Sequence, residues 1–213
     1  MDGKKLLIVT NGDNQIDFLK QIANQYQAII SVDGAANILL QADIMPDYLV
    51  GDFDSIKPEV LHRYEQKGTK RVTLIPEKDF TDTHIALDKA VELGYNRIDM
   101  AGAFGSRWDH SLGNLNLLYY AFQQGVDLRL IACENEISII GEGEHNFAKR
   151  ENYYWSFLAL FEDVNISIEN MKYNLKDREV KRGESIGLSN EFLGDAKIII
   201  KKGSAIIIQS RMD

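Results

Sequence analysis

Apolar positions along the chain follow two regimes, and the change falls near residue 134. Before it, short apolar runs at Leu6 to Val9, Ala28 to Val32, Tyr48 to Val50, Val72 to Ile75, Ile98 to Ala101 and Leu128 to Ala132 alternate with amphipathic stretches. Short apolar runs bounded by polar turns predict buried strands, and longer stretches with apolar residues three and four apart predict helices. The helical pattern covers Asp13 to Tyr26, Ala35 to Gln41, Pro58 to Lys67, Thr81 to Leu93 and Asp109 to Gln124. A repeated strand-then-helix unit implies a parallel sheet with helices on its faces, joined by right-handed crossovers. Ser55 and Thr81 stand where helix N-caps are expected, Pro58 in a first turn, and Gly94 and Gly125 where helices end.

After residue 135 no helix of useful length fits. Apolar runs at Glu136 to Ile140, Trp155 to Phe161, Val164 to Ile168, Ile186 to Ser189, Ala196 to Lys201 and Ala205 to Ser210 are separated by short polar or glycine turns. Alternation through Asn165, Ile166, Ser167 and Ile168, and the Lys202-Gly203 link, predict antiparallel hairpins. The expected fold class is therefore α/β: a Rossmann-like parallel sheet with helices on both faces over residues 1–134, then a small antiparallel β-sandwich over 135–213.

Composition narrows the function. The 213 residues are 45% hydrophobic and 26% charged, with only 16 Gly and 3 Pro, which excludes disorder as the dominant state. A chain of this size buries enough surface to fold without disulfides, and its one cysteine, Cys133, has no internal partner. The first apolar run, Leu6 to Val9, is too short for a signal-peptide core or a membrane span, so a cytoplasmic location is expected. Lys+Arg 24 against Asp+Glu 32 leaves a net charge of −8, which argues against nucleic acid or an anionic membrane as partner. An acidic chain that takes a polyphosphate needs a divalent cation between its carboxylates and the phosphate oxygens.

Ligands of open parallel sheets bind beyond the carboxyl ends of the strands. Four successive predicted strand ends carry acid there: Asp33 in Asp33-Gly34-Ala35, Asp52 and Asp54 in Gly51-Asp52-Phe53-Asp54-Ser55, Asp79 and Asp82 after Lys78, and Asp109 in Gly102-Ala103-Phe104-Gly105-Ser106-Arg107-Trp108-Asp109-His110. Singly, each suits a turn or a helix cap. Together they repel one another unless a cation relieves them, so a metal site is the economical reading. In an extended segment Asp52 and Asp54 point to one side while Phe53 points to the other, so both can address one hard cation. Magnesium is expected over zinc, because the donors are oxygens and His62, His84, His110 and Cys133 show no ligand spacing. Gly102 and Gly105 open backbone amides to a phosphate and Arg107 offers it a fork. The alternative for Arg107 is a structural ion pair with Asp109 or Asp82. Neither a Walker A loop nor a dinucleotide fingerprint is present, since strand one ends in Thr10-Asn11-Gly12-Asp13.

The ordered set Asp33-Gly34-Ala35, Pro46-Asp47, Gly51 to Ser55, Lys78-Asp79-x-Thr81-Asp82-Thr83, Gly102-x-x-Gly105-x-Arg107-x-Asp109-His110 and Gly187-x-Ser189-Asn190-Glu191 resembles the thiamin pyrophosphokinase family over roughly residues 31 to 210. Two departures stand out: Ser106 where a second glycine is common, and Met171-Lys172-Tyr173 in place of the usual Gly-Leu-Lys and aromatic.

The resemblance implies a two-domain homodimer that moves the pyrophosphoryl group of ATP to the hydroxyl of thiamin. Mg2+ would be held by Asp52, Asp54 and Asp82, with Arg107 steadying developing charge and either Asp82 or Asp109 accepting the hydroxyl proton. Asp33, Lys78, Thr81, Arg107 and His110 would line the nucleotide side. Ser189, Asn190 and Phe192 would hold the vitamin across the dimer, with Phe192 as the stacking ring, while Trp155 and Tyr173 are expected to be packing residues. Three rivals remain: an Asp-x-Asp phosphatase or nucleotide-sugar transferase, the phosphatase disfavoured because the pair does not follow strand one; a pyrophosphokinase for a pterin alcohol; and a binding module without turnover.

Overall fold

The computed structural model describes residues 4–74 and 79–212, which divide into a unit ending at Cys133 and a second beginning at Glu134. The chain is a mixed α/β protein with parallel strands in the first unit and antiparallel strands in the second.

The first unit contains β1 (Lys5–Val9), α1 (Ile16–Ala23), β2 (Ala28–Val32), α2 (Ala35–Gln41), β3 (Tyr48–Gly51), α3 (Pro58–Gln66), β4 (Lys70–Thr73), α4 (Asp82–Glu92), β5 (Arg97–Ala101), α5 (Trp108–Gln123) and β6 (Asp127–Ile131). All neighbouring strands pair in parallel, in the order β6-β5-β1-β2-β3-β4. Parallel strands covered on both faces read as continuous apolar runs, and β1 and β2 are buried almost throughout. Leu7 and Val9 of β1 pack with Leu19 and Ile22 of α1 and Leu39 of α2. Leu49 and Phe53 pack with Val60 and Tyr64 of α3. Tyr64 is fully buried, its hydroxyl donates to the carbonyls of Ala36 and Ile44, and burial pushes the phenol far above its ordinary pKa.

Several local expectations meet their outcome here. Thr81 caps α4, its Oγ1 accepting the His84 N–H at 3.2 Å. Ser55 does not cap α3: the cap is Lys57, with Pro58 in the first turn, and Asn37 bridges the segment by accepting from Lys57 N and donating to Ser55 O. The helix drawn from Asp13 is shorter, because Asn14 folds back to donate to the carbonyls of Thr10 and Gly12 and α1 starts only at Ile16. Asp99 lies buried in β5, where Arg129 of β6 donates two hydrogen bonds to it and the Tyr26 hydroxyl a third. That full set of partners is what makes a charge tolerable inside the sheet.

The second unit contains β7 (Asn135–Ile140), β8 (Gly143–Phe147), β9 (Tyr153–Leu158), β10 (Val164–Met171), β11 (Leu175–Val180), β12 (Asn190–Lys202) and β13 (Ala205–Arg211), all paired antiparallel. β13 lies between β7 and β9, and β12 between β10 and β8. The first residues of β12, Asn190 and Glu191, pair with β9. Trp155, Phe157, Ile166, Ile198 and Ile207 meet in one core. The segment Ile186 to Ser189, expected as a strand, is instead a turn. Its Gly187 accepts from Phe157 N, and a Cβ there would stand 2.3 Å from the Phe157 ring. β8 and β11 were absent from the apolar pattern because both are edge strands with mostly exposed polar residues. No helix among the described residues is long and apolar enough to cross a membrane.

Candidate active site

In the first unit the chain proceeds from β1 outward to β4, then returns to the other side of β1 to lay down β5 and β6. The order therefore reverses between β1 and β5, and the loops beyond their carboxyl ends diverge there. A cavity of about 430 Å³ opens at this switch point. Its walls come from Thr10 to Gly12 after β1, Asp33 after β2, Ser55, the start of α4 from Thr81 to Thr83, and the β5–α5 segment from Gly102 to Asn114.

Backbone geometry makes this possible. Gly12 N donates to Gly102 O at 3.0 Å and Asp13 N to Phe104 O at 2.7 Å, so the two loops run in direct contact. A Cβ on Gly12 would lie 2.2 Å from the Gly102 carbonyl oxygen, which is why glycine stands there. The Thr10 hydroxyl donates to Gly102 O and the Asn114 amide to Ala103 O. Ser111 Oγ accepts from Gly105 N at 3.2 Å and donates to Arg107 O at 3.0 Å. The loop is thus held open by buried side chains of α5 while its amides stay near the cavity.

At the β2 and β3 ends, Asp33 and Phe53 adopt left-handed backbone, with φ 45° and 68°. Such conformations persist where surrounding contacts enforce them and cluster at functional sites. Gly51 has φ 148°, and a Cβ there would stand 1.7 Å from Asp33 Oδ1. Gly51 therefore lets the Asp33 carboxylate approach the end of β3 closely. Asp52-Phe53-Asp54 is a turn and not the extended segment expected, since β3 stops at Gly51. Phe53 is buried, with the Arg71 guanidinium 4.7 Å from its ring centroid. Asp52 is half-buried and its Oδ1 accepts the Asp54 N–H at 3.1 Å, while Asp54 is exposed.

Asp33, Thr81, Asp82, Arg107 and His110 all line the cavity. Asp52, Asp54 and Asp109 do not, and Lys78 lies outside the described residues. Among the described residues no three Asp, Glu, His or Cys side chains gather closely enough to hold a metal ion. Arg107 makes the ion pair that was its alternative reading: Nε donates to Asp109 Oδ1 at 3.2 Å and Nη2 to Oδ2 at 2.6 Å. These hydrogen bonds hold the Asp109 carboxyl down at about 2 and raise the guanidinium. Asp109 therefore stays ionised until the pH falls toward that value, and such a carboxylate is a poor proton acceptor. Among the described residues two of the five guanidinium N–H donors are used, which leaves others for a phosphate. Thr10, Asn11, Ser111 and Asn114 line the cavity without having been singled out from the sequence.

The expected vitamin-binding residues require correction. Phe192 is 8% exposed and belongs to the core of the second unit, with Met171 opposite on β10, so its ring is not offered for stacking. Asn190 is also buried, and its amide is spent on the backbone of Tyr173, accepting from the N–H at 2.9 Å and donating to the carbonyl at 2.8 Å. Ser189 alone is exposed, at φ 55° with its N–H donated to Ser156 Oγ. Trp155 is a packing residue as expected, but Tyr173 is 60% exposed beside the Lys172–Glu191 ion pair. Phe192→Ala should accordingly lower unfolding free energy by about 3–5 kcal/mol, read by denaturant titration. A variant of unchanged stability with weakened thiamin binding would restore the stacking role.

A parallel α/β sheet with a cavity at its switch point, bordered by a glycine loop and carboxylates, belongs to the class of α/β proteins that bind ligands beyond the carboxyl ends of their strands. Comparison with known proteins agrees on which one. The family model described as thiamin pyrophosphokinase, catalytic domain, matches residues 19–130, and that for its vitamin B1 binding domain matches 144–207. The chain is 34% identical to a thiamine pyrophosphokinase of Bacillus subtilis over 97% of this chain and 99% of the relative. The crystal structure of the Bacillus subtilis enzyme superposes with a TM-score of 0.87 at 30% identity, covering 99% of this chain and all of that one. A family protein from Enterococcus faecalis gives 0.86 at 28% identity, covering 99% of this chain and 100% of that chain. The yeast enzyme, at 16% identity and 0.84, shares the fold. The chain belongs to the thiamin pyrophosphokinase family.

Proposed function

We propose that this protein transfers the pyrophosphoryl group of ATP to the hydroxyl of thiamin, giving thiamin diphosphate and AMP. The observation that carries the reading is the switch-point cavity, walled by Asp33, Thr81, Asp82, Arg107 and the glycine loop, in a chain that both family models match. Transfers of this kind are accelerated by positioning and charge neutralisation more than by covalent chemistry. Backbone amides of the β5–α5 loop other than that of Gly105, with the spare donors of Arg107, take phosphate oxygens, and Asp33 and Thr81 bound the nucleotide side. Asp82 is assigned as proton acceptor for the thiamin hydroxyl because it lines the cavity and Asp109 does not.

Magnesium fits the donors present. It is commonly bound by one or two carboxylates together with substrate phosphates and not by a full protein cage, and Asp52 and Asp54, joined by one hydrogen bond, supply such a pair. Asp52 and Asp54, together with Asp82, would hold the ion, which when bound would supply positive charge to offset the negative charge of the ATP phosphates. Asp52→Asn and Asp54→Asn are each expected to lower turnover by about 10²-fold or more, in line with lost electrostatic stabilisation. Near-normal rates for both at saturating magnesium would remove the metal assignment.

The two units read as a Rossmann-like catalytic domain and a β-sandwich that binds thiamin and dimerises, acting in the cytoplasm as a homodimer with composite sites. One shared core built from both groups of antiparallel strands supports the sandwich reading. Release of AMP from ATP and magnesium in the presence of thiamin, but not of a pterin alcohol, tests the function. Release with the pterin alone would replace thiamin as the acceptor.

A further inference from the structure

The cavity has walls on two helices: α4 brings Asp82 and Thr83, capped by Thr81, while α5 brings His110, Ser111 and Asn114 and is capped by Arg107. A side-chain cluster outside the cavity joins those helices. His84, in the first turn of α4, lies between Phe80 and Tyr120, with ring centroids 4.5 Å and 4.4 Å away. Its side chain is only 16% exposed, and its Nε2 lies 3.7 Å from Asp88 Oδ2 one turn along α4. The other Asp88 oxygen accepts the Tyr120 hydroxyl of α5 at 2.9 Å. His84 also donates its backbone N–H to Thr81 Oγ1, within the segment that faces the cavity. Phe80, His84, Asp88 and Tyr120 therefore link the loop before α4, α4 itself and α5.

We propose that His84, acting with Asp88 and Tyr120, is a positioning residue for the transfer, a brace that fixes the start of α4 against α5 and so sets Asp82 relative to Arg107 and His110. The proposal rests on the reading under Proposed function. None of the three side chains lines the cavity, so their effect passes through the segments they hold. Misplacement of a reacting group by about 1 Å costs on the order of 10² in rate, and a loosened helix end produces a share of that.

The test compares His84→Ala, which removes the ring, with His84→Phe, which keeps the stack. His84→Ala should lower kcat about 10-fold with the thiamin KM changed less than about twofold, and His84→Phe should recover most of the loss. Tyr120→Ala should behave like His84→Ala, and the double variant should be no slower than either, since both break one brace. A folded His84→Ala with near-normal kcat, a His84→Phe as slow as His84→Ala, or multiplying effects would each overturn the proposal. If His84→Ala fails to fold, Tyr120→Ala against Tyr120→Phe makes the same comparison. If the wild-type protein turns over no thiamin, the functional reading fails by itself, and amide hydrogen exchange then decides on the brace. His84→Ala should speed exchange at Thr83 to Ile85 and Ser111 to Asn114 while leaving the second unit unchanged, and exchange unaltered at both helix starts would overturn it.

Discussion

Asp82→Asn should lower kcat by about 10²–10⁴-fold, the range for loss of a positioned proton acceptor, whereas Asp109→Asn should cost about 10-fold or less. The contrast comes from where the two carboxylates stand: Asp82 lines the cavity and Asp109 does not. Asp109 is exposed and receives two hydrogen bonds from Arg107, which keep it ionised down to a pH of about 2. Its folded pKa lies below its unfolded value, so the pairing is complete above the ordinary carboxylate range and is lost as pH falls through about 2. At neutral pH it orients Arg107 and has little tendency to take a proton. Asp82 lies in the cavity wall at the start of α4. Steady-state kinetics of the two variants at saturating ATP and magnesium make the comparison, and a larger loss in Asp109→Asn would exchange the two roles.

Gly51→Ala should damage the site through Asp33. The new Cβ would stand 1.7 Å from Asp33 Oδ1, at a backbone φ of 148° that side chains rarely adopt. Strain of this kind costs about 1–3 kcal/mol, and the displaced Asp33 carboxylate should reduce kcat/KM for ATP by about 10²-fold. Gly68→Ala is the control, because its φ is also positive, at 88°, but nothing lies within 4 Å of the added Cβ. It should lose stability alone. Equal loss of activity in both variants would show that Gly51 matters for its backbone and not for the space it leaves to Asp33.

The sequence was most legible where burial is uniform. β1 and β2 are buried almost throughout because both faces of a parallel sheet are covered, so their limits were close to those read from the pattern. It was least legible at the edges, where β8 and β11 are mostly polar and exposed. The site shows the same division. Asp33, Asp82 and Arg107 stood out as charged residues at strand ends. Thr10, Asn11, Ser111 and Asn114 did not, because their place at the cavity depends on β1 and β5 being neighbours, and strand order is a tertiary fact. Phe192 was misjudged for a related reason: in an alternating strand the face of one residue depends on register, and pairing with Met171 turns Phe192 into the core.

The fate of the terminal phosphate tests the central claim most directly. The protein is incubated with thiamin, magnesium and ATP labelled at the γ-phosphate, and the products are separated. Pyrophosphoryl transfer puts the label in thiamin diphosphate and leaves unlabelled AMP in equal amount. Label in thiamin monophosphate with ADP as co-product, or label released as free phosphate without thiamin consumption, would contradict it.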